Sequence, residues 1–409
     1  MTKRSPFSRR SLIGAATAAA IGTALPKASR SDARGGASTV LPPLPPALRP
    51  DDFRDRQERL RSAIAKSRVD AIFVTPGTNL RYAANLTIGR SERLTALVIP
   101  ARGPVVVVTP FFEKPRSERS GVFDAIETWQ ESEDPFAICA RVIGTGKTVA
   151  VEGSTAFHTA QQLRAAAGAA LRDGTDIFDV LRSVKSPAEQ AFIRAAGLRT
   201  VAAIEATWRR LRAGMTEREG ARILEEEFQR VGTPSGGLVQ FGPSSALPHG
   251  GPGERRLQAG DVVLIDAGCE VEGYTSDITR TAVFGRVPEK VARVYDVVER
   301  AQRAGIAALA AGVPGEKVDA AARKVISEAG FGDFFTHRLG HGLGMDGHET
   351  PYLVRGNSRP LAAGNVETIE PGVYLPGEFG VRIEDDFVVT SSGSERLSPA
   401  PSGLRSLPA

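Results

Sequence analysis

"DVVLIDAGCEVEGYTSDITRTAVF", residues 261–284, decides how the chain is read. The runs "VVLI" and "TAVF" are apolar enough for buried strands, and "EVEG" between them supplies a turn. A turn centred on Glu270 to Gly273 folds the stretch into an antiparallel hairpin that sets Asp266 opposite Asp277. Two carboxylates facing each other on a buried strand pair repel unless a cation lies between them.

The same anomaly recurs in "NVETIEPGVYLPGEFGVRIEDDFVV", residues 365–389, where a turn centred on Gly377 sets Glu370 opposite Glu384. Each acid alone has an ordinary reading, Asp266 as a turn cap before Gly268 and Glu384 as a solvated edge charge. Two hairpins repeating the pattern require those readings to coincide. The apolar flanks imply burial, where an unpaired carboxylate is very costly. A third stretch, "RLGHGLGMDGHETPYL" (residues 338–353), carries His341 and His348 on a backbone too rich in glycine for a stable helix. His337, His341 and His348 are three of the five histidines in the chain. Four carboxylates and one imidazole suit a pair of divalent ions, with oxygen-rich ligation favouring Mn, Co or Fe over a thiolate zinc site. The glycines would let the backbone turn sharply, bringing His341 to a metal and leaving His348 beyond its ligand shell. Taken singly, His341 also reads as a structural histidine.

Upstream, "KSPAEQAFIRAAGLRTVAAIEATWRRLRAG" begins with Ser186 as N-cap, Pro187 in the first turn and Glu189 closing a capping box. Thr216 and Glu219 repeat the device in "MTEREGARILEEEFQRVG". Two further helices are predicted near 289–311 and 315–329. The order helix, helix, strands occurs twice, which predicts an α+β domain of two similar halves over residues 182–409. Residues 51–181 alternate helix and strand and read as a separate α/β domain. It opens with an amphipathic helix and a buried strand in "DDFRDRQERLRSAIAKSRVDAIFVTP".

The 409 residues exceed one average domain, and 41% hydrophobic with 24% charged is ordinary for a globular protein with a sizeable core. No stretch approaches the roughly 20 apolar residues of a membrane span. The net charge of +5 is local: residues 1–34 hold seven basic groups and one acid, and the remainder is close to neutral. Charge therefore gives no support to nucleic-acid binding. Arg9-Arg10, the weakly apolar run that follows and Lys27 resemble a twin-arginine export signal over residues 1–33, which predicts a periplasmic or secreted protein. Residues 34–50, with "VLPPLPPALRP", read as an extended Pro-rich linker. Cys139 and Cys269 fall in different predicted domains, and free thiols are expected.

Together, "DAGCEVEGYTSDITRT", "HRLGHGLGMDGHE", "IEPGVY" and "VRIEDD" resemble the pita-bread metallopeptidases, the family of aminopeptidase P, prolidase, methionine aminopeptidase and the metal-free creatinase. The similarity spans residues 185–395. The preceding domain resembles the creatinase-type N-terminal domain, which points to the proline-specific branch. The resemblance implies a pita-bread catalytic domain holding two divalent ions, Mn expected and Co, Fe or Zn compatible. It implies metal ligation by Asp266, Asp277, His341, Glu370 and Glu384, with Asp277 and Glu384 bridging. A hydroxide between the ions would be the nucleophile and Glu370 its general base. His249 matches the histidine that contacts substrate near the scissile bond, and His348 the one that stabilises the tetrahedral intermediate. Arg382 would orient Glu384 from outside the ligand shell. Without the resemblance, His249 reads as a turn histidine and Arg382 as half of a surface ion pair. The implied activity is cleavage between an N-terminal residue and a following proline in dipeptides or longer peptides, with homodimerisation open. Hydrolysis of another bond by the same metals (a phosphotriester or small amide) and non-catalytic peptide binding are the alternatives.

Overall fold

A helix at Pro50–Ser67 opens the regular structure. Pro50 sits in its first turn, Asp51 and Asp52 face the positive end of the helix dipole, and the Asp52 carboxylate accepts from Arg49 N at 2.7 Å. Phe53, Leu60 and Ile64 are buried on it, and Leu60 and Ile64 share a core with strands of a six-stranded sheet. The computed structural model describes residues 41–409. The export signal read over 1–33 and the linker up to residue 40 lie outside the described residues. The described part of the linker is bound to the fold: Arg199 Nη2 donates to Pro42 O at 2.9 Å, and Leu48 packs on a hydrophobic core.

The six strands run in the order Ala125–Trp129, Val106–Pro110, Ala96–Pro100, Ala71–Val74, Thr148–Val151, Ala170–Asp173. The central strand Ala71–Val74 is antiparallel to Ala96–Pro100 and parallel to Thr148–Val151. It is buried along its whole length, as its unbroken apolar run requires. Beyond this sheet the helix-helix-strand order repeats as the sequence predicts. Helices Pro187–Arg210 and Glu217–Arg230 start at the Ser186/Glu189 and Thr216/Glu219 capping boxes, each worth about 1 kcal/mol. They share a core with the sheet of Gly237–Phe241, Val262–Ala267, Ile278–Phe284 and Arg405–Leu407. Helices Glu289–Ala308 and Gly315–Glu328 share another with the sheet built on Val366–Ile369 and Asp385–Val389. No helix among the described residues is long and apolar enough to cross a membrane. Cys139 and Cys269 are both free and buried, as expected.

One expected register is corrected. Asp266 pairs with Thr279, not with Asp277. The turn sits one residue later than the sequence reading placed it, at Glu272-Gly273, where φ is 52° and 88°. A two-residue hairpin turn of this kind needs positive φ at both central positions, and Gly273 accepts it at the second without cost. Moving the turn by one residue shifts the pairing by two, so Asp266 and Asp277 remain on one face as diagonal neighbours.

The strand Val366–Ile369 carries a second unusual acid. Glu367 is fully buried and, among the described residues, neither carboxylate oxygen has a hydrogen-bond partner. Burial pushes its carboxyl well above the ordinary range, against the opposing pull of Lys185. A raised folded-state pKa gives stability that is full below the unfolded pKa and falls as pH rises, by about 1.4 kcal/mol per pH unit until the folded group ionises. Glu367→Gln has no such slope. Its melting temperature is expected to gain on wild type steadily between pH 5 and pH 8, and a constant difference across that range would contradict the assignment.

Candidate metal centre

All eight residues singled out in the sequence line one cleft of about 420 Å³. The two hairpins meet there edge to edge. Glu384 N donates to Thr279 O at 3.2 Å, Thr279 Oγ1 donates to Glu384 Oε2 at 2.6 Å, and Thr281 Oγ1 donates to Arg382 O at 2.8 Å. The register of the second hairpin is as expected, since Ile369 pairs with Asp385 and Gly372 with Arg382. Between those pairs, Glu370 and Glu384 turn their amides to Leu339 O and Thr279 O, and the ladder parts where the two acids face the cleft. Asp277 N is held by both oxygens of the buried Asp386, at 3.3 and 3.2 Å.

His341 is 1% exposed. Its Nδ1 lies 3.0 Å from Gly342 O, and a carbonyl can only accept, so Nδ1 carries the proton. Nε2 is then a free lone pair, 3.4 Å from Glu370 Oε1 and 3.7 Å from Asp277 Oδ2. Burial, then the neighbouring His348, pushes the ring down to about 3, so it is neutral at any working pH. A neutral imidazole with one nitrogen fixed by a backbone carbonyl is the form that ligates metals.

Two groups of potential ligand atoms, each within 4.8 Å, share Glu384: Asp266, Asp277 and Glu384, and His341, Glu370 and Glu384. Burial followed by the other carboxylates raises Asp277 and Glu370 well above the ordinary range, and burial with Asp266 raises Glu384 to about 7. Among the described residues, Arg382 is the one guanidinium that reaches the carboxylates of this cluster. Without further positive charge the acids can coexist only by holding protons. The donor set therefore fits divalent cations in both number and kind.

The remaining assignments change in detail. Arg382 Nη2 donates to Asp266 Oδ2 at 2.7 Å and Nε to Thr279 Oγ1 at 2.9 Å, while Nε lies 3.8 Å from Glu384. It orients Asp266 directly and Glu384 only through Thr279, because the threonine hydroxyl already occupies Glu384 Oε2. His348 lies closer to the ligands than expected. Its ring centroid is 4.0 Å from that of His341, and it forms a third group of potential ligand atoms with Asp277 and His341. Arg338 Nη2 donates to its Nδ1 at 3.3 Å, which leaves the proton of the neutral ring on Nε2. That nitrogen is a hydrogen-bond donor rather than a ligand. His249 is exposed at the cleft rim, just beyond the short turn Gly242–Ala246.

Several supporting residues escaped the sequence reading. His337 Nδ1 donates to Arg338 O at 2.7 Å, its Nε2 accepts from Tyr374 OH at 2.8 Å, and Arg382 Nη1 donates to the same phenol at 2.9 Å. The histidine count drew attention to His337 but gave it no role. Asp386 and Thr279 carried only weak signals, as the last acid of "EDD" and a threonine two residues after Asp277.

Comparison with known proteins identifies the two domains. Residues 191–391 match metallopeptidase family M24, and residues 56–184 match the Creatinase/Prolidase N-terminal domain. The probable dipeptidase PepE of Mycobacterium tuberculosis is 37% identical over 359 residues, 85% of this chain and 94% of that protein. The crystal structure of dipeptidase PepE from Mycobacterium ulcerans superposes with a TM-score of 0.84 at 35% identity, covering 89% of this chain and 100% of that one. A prolidase from Thermococcus sibiricus gives 0.80 at 33% identity over 87% and 99% of the two chains. The fold and site together define a metal-dependent peptidase of the pita-bread type. The chain belongs to metallopeptidase family M24.

Proposed function

We propose that this enzyme is a dinuclear Xaa-Pro dipeptidase, exported by its Arg9-Arg10 signal and most active with Mn. The observation that carries the reading is the pair of ligand groups sharing Glu384 in one cleft. Solved relatives described as a prolidase and an Xaa-Pro dipeptidase, 33% and 31% identical, support the substrate class. Four carboxylates to one imidazole support Mn. Asp266, Asp277, His341, Glu370 and Glu384 would hold the ions. When bound, these supply Lewis acidity and lower the pKa of water.

The chain's own groups account for the rest. Glu370, beside His341 Nε2, receives the proton of the attacking water. His348 Nε2–H donates to the carbonyl oxygen as it gains charge. His249, at the rim, contacts the substrate on one side of the scissile bond. Arg382 fixes Asp266 by a part-buried charge-assisted bond.

Arg338 supports the choice of dipeptides. It lines the cleft, rests on the Tyr352 ring at 4.3 Å, and has no carboxylate partner among the described residues. A half-buried guanidinium there matches the free carboxylate of a C-terminal proline. The test is kcat/KM on Ala-Pro and on Ala-Pro amide. Wild type is expected to prefer the free acid by ~10- to 100-fold, the scale of a charge-assisted pair, and Arg338→Met to bring the two substrates within about threefold. Equal use of acid and amide by wild type would contradict the dipeptidase reading, and cleavage inside longer peptides would overturn the exopeptidase assignment altogether.

A further inference from the structure

His341 and His348 are joined by a segment with little structure of its own. Strand Gly340–Gly342 shifts register between His341 and Gly342, and no strand resumes before Glu349–Leu353. Gly342, Gly344 and Gly347 leave its backbone free to wander. What fixes it comes from far away in the chain. Thr78 Oγ1 donates to Asp346 Oδ1 at 2.5 Å, and Arg182 Nη2 donates to Asp346 Oδ2 at 2.6 Å and also to Glu349 Oε1. Lys185 Nζ donates to Glu349 Oε2 at 2.9 Å, and Asp346 N donates back to Glu349 Oε1 at 3.0 Å. Arg182 Nη1 is itself held by Asn79 Oδ1 at 2.9 Å.

The bonds to Glu349 are sheltered, with the Arg182, Glu349 and Lys185 side chains 10%, 7% and 1% exposed, while Asp346 is half-exposed. Burial alone would raise the Glu349 carboxyl, but Lys185 and Arg182 hold it at about 2, so it is ionised. Gly344 is part of the fit, because a Cβ there would stand 2.7 Å from Glu349 Oε2 and 2.8 Å from Lys185 Cε. Met345 packs against hydrophobic cores on both sides. His348 thus lies between two residues, Asp346 and Glu349, that one guanidinium ties together.

We propose that Arg182 is a positioning residue for His348, acting through Asp346 and Glu349 to hold the His348 ring against the reacting carbonyl. Arg182 lies in the helix Thr175–Ser183, inside the N-terminal domain match over residues 56–184, so that domain completes the active site of the C-terminal one. This inference rests on the reading that His348 serves peptide cleavage. It assigns Arg182 no contact with substrate or metal.

The test is a double-mutant cycle of Arg182→Met and His348→Ala in the full chain, assayed on Ala-Pro with Mn²⁺, with bound metal counted for each protein. Arg182→Met alone is expected to lower kcat by ~10- to 100-fold, the cost of a misplaced catalytic group, at unchanged metal content. In the His348→Ala background the same change is expected to cost less than about threefold, because its target is already gone. Effects that multiply in full, or loss of metal from Arg182→Met, would overturn the inference while leaving the peptidase reading intact. If wild type cleaves no Xaa-Pro peptide, that reading falls and the inference with it. Thr78→Val removes one bond of the clamp without unpairing a buried charge. Should Arg182→Met not fold, a smaller loss from Thr78→Val that vanishes in the His348→Ala background supports the inference, and one that persists overturns it.

Discussion

Asp277→Asn is expected to abolish metal uptake and peptide cleavage, yet to raise the melting temperature of the metal-free protein. Asp277 faces Glu384, Asp266, Asp386 and Glu370, and burial and those neighbours push its carboxyl far up. A raised carboxyl pKa lowers folded stability increasingly as pH rises above the unfolded value, by about 1.4 kcal/mol for each pH unit up to the folded pKa. Asparagine keeps the shape and removes the ionisation. The backbone N–H of residue 277, which Asp386 accepts, is unaffected. Without metal the variant should therefore melt higher than wild type, by about 2–4 °C for each kcal/mol recovered, and the gap should widen from pH 5 to pH 8. With Mn²⁺ the order reverses. A ligand at 1,000 times its Kd stabilises wild type by about 4 kcal/mol, whereas the variant lacks one ligand shared by the cluster. Its kcat should fall by at least ~10³, comparable to removing a principal electrostatic group from an active site. Melting curves at two pH values, with and without Mn²⁺, check all of this. A variant that melts lower than wild type without metal, or that binds two ions, would contradict the account of the cluster.

How much of this was legible in the sequence depended on the range of the interaction. Glu370 and Glu384 could be placed opposite each other because one glycine turn and a period of two fix a hairpin locally, and the register was right. Asp266 and Asp277 were misplaced by two positions because Glu272 takes a positive φ that no residue preference announces. The face was still correct, since a shift of two preserves the side of the sheet. Capping boxes at Ser186 and Thr216 were equally local and equally visible.

What sequence could not show is the support around the site. Arg182 reaches Asp346 and Glu349 across 164 and 167 residues, and Thr78 reaches Asp346 across 268. No periodicity links such positions. Tyr374 is a buried aromatic of strand Gly372–Leu375, and only folding shows its hydroxyl joining Arg382 to His337. Arg382 itself was visible, but its main partner, Asp266, lies on the other hairpin.

The central claim is that the acid cluster exists to hold two divalent ions that the reaction requires, and chelation tests it directly. The full chain is stripped with chelator, dialysed, and titrated with Mn²⁺ while bound metal, melting temperature and Ala-Pro cleavage are followed together. The account expects the stripped protein to remain folded, with cleavage reduced by at least ~10³ because the ions' lowering of the pKa of the attacking water is then lost. Added Mn²⁺ should restore cleavage and raise the melting temperature in step, both levelling off at two ions per chain. Stripped protein that cleaves Ala-Pro at the untreated rate, or a titration that ends with no ion bound, would contradict it.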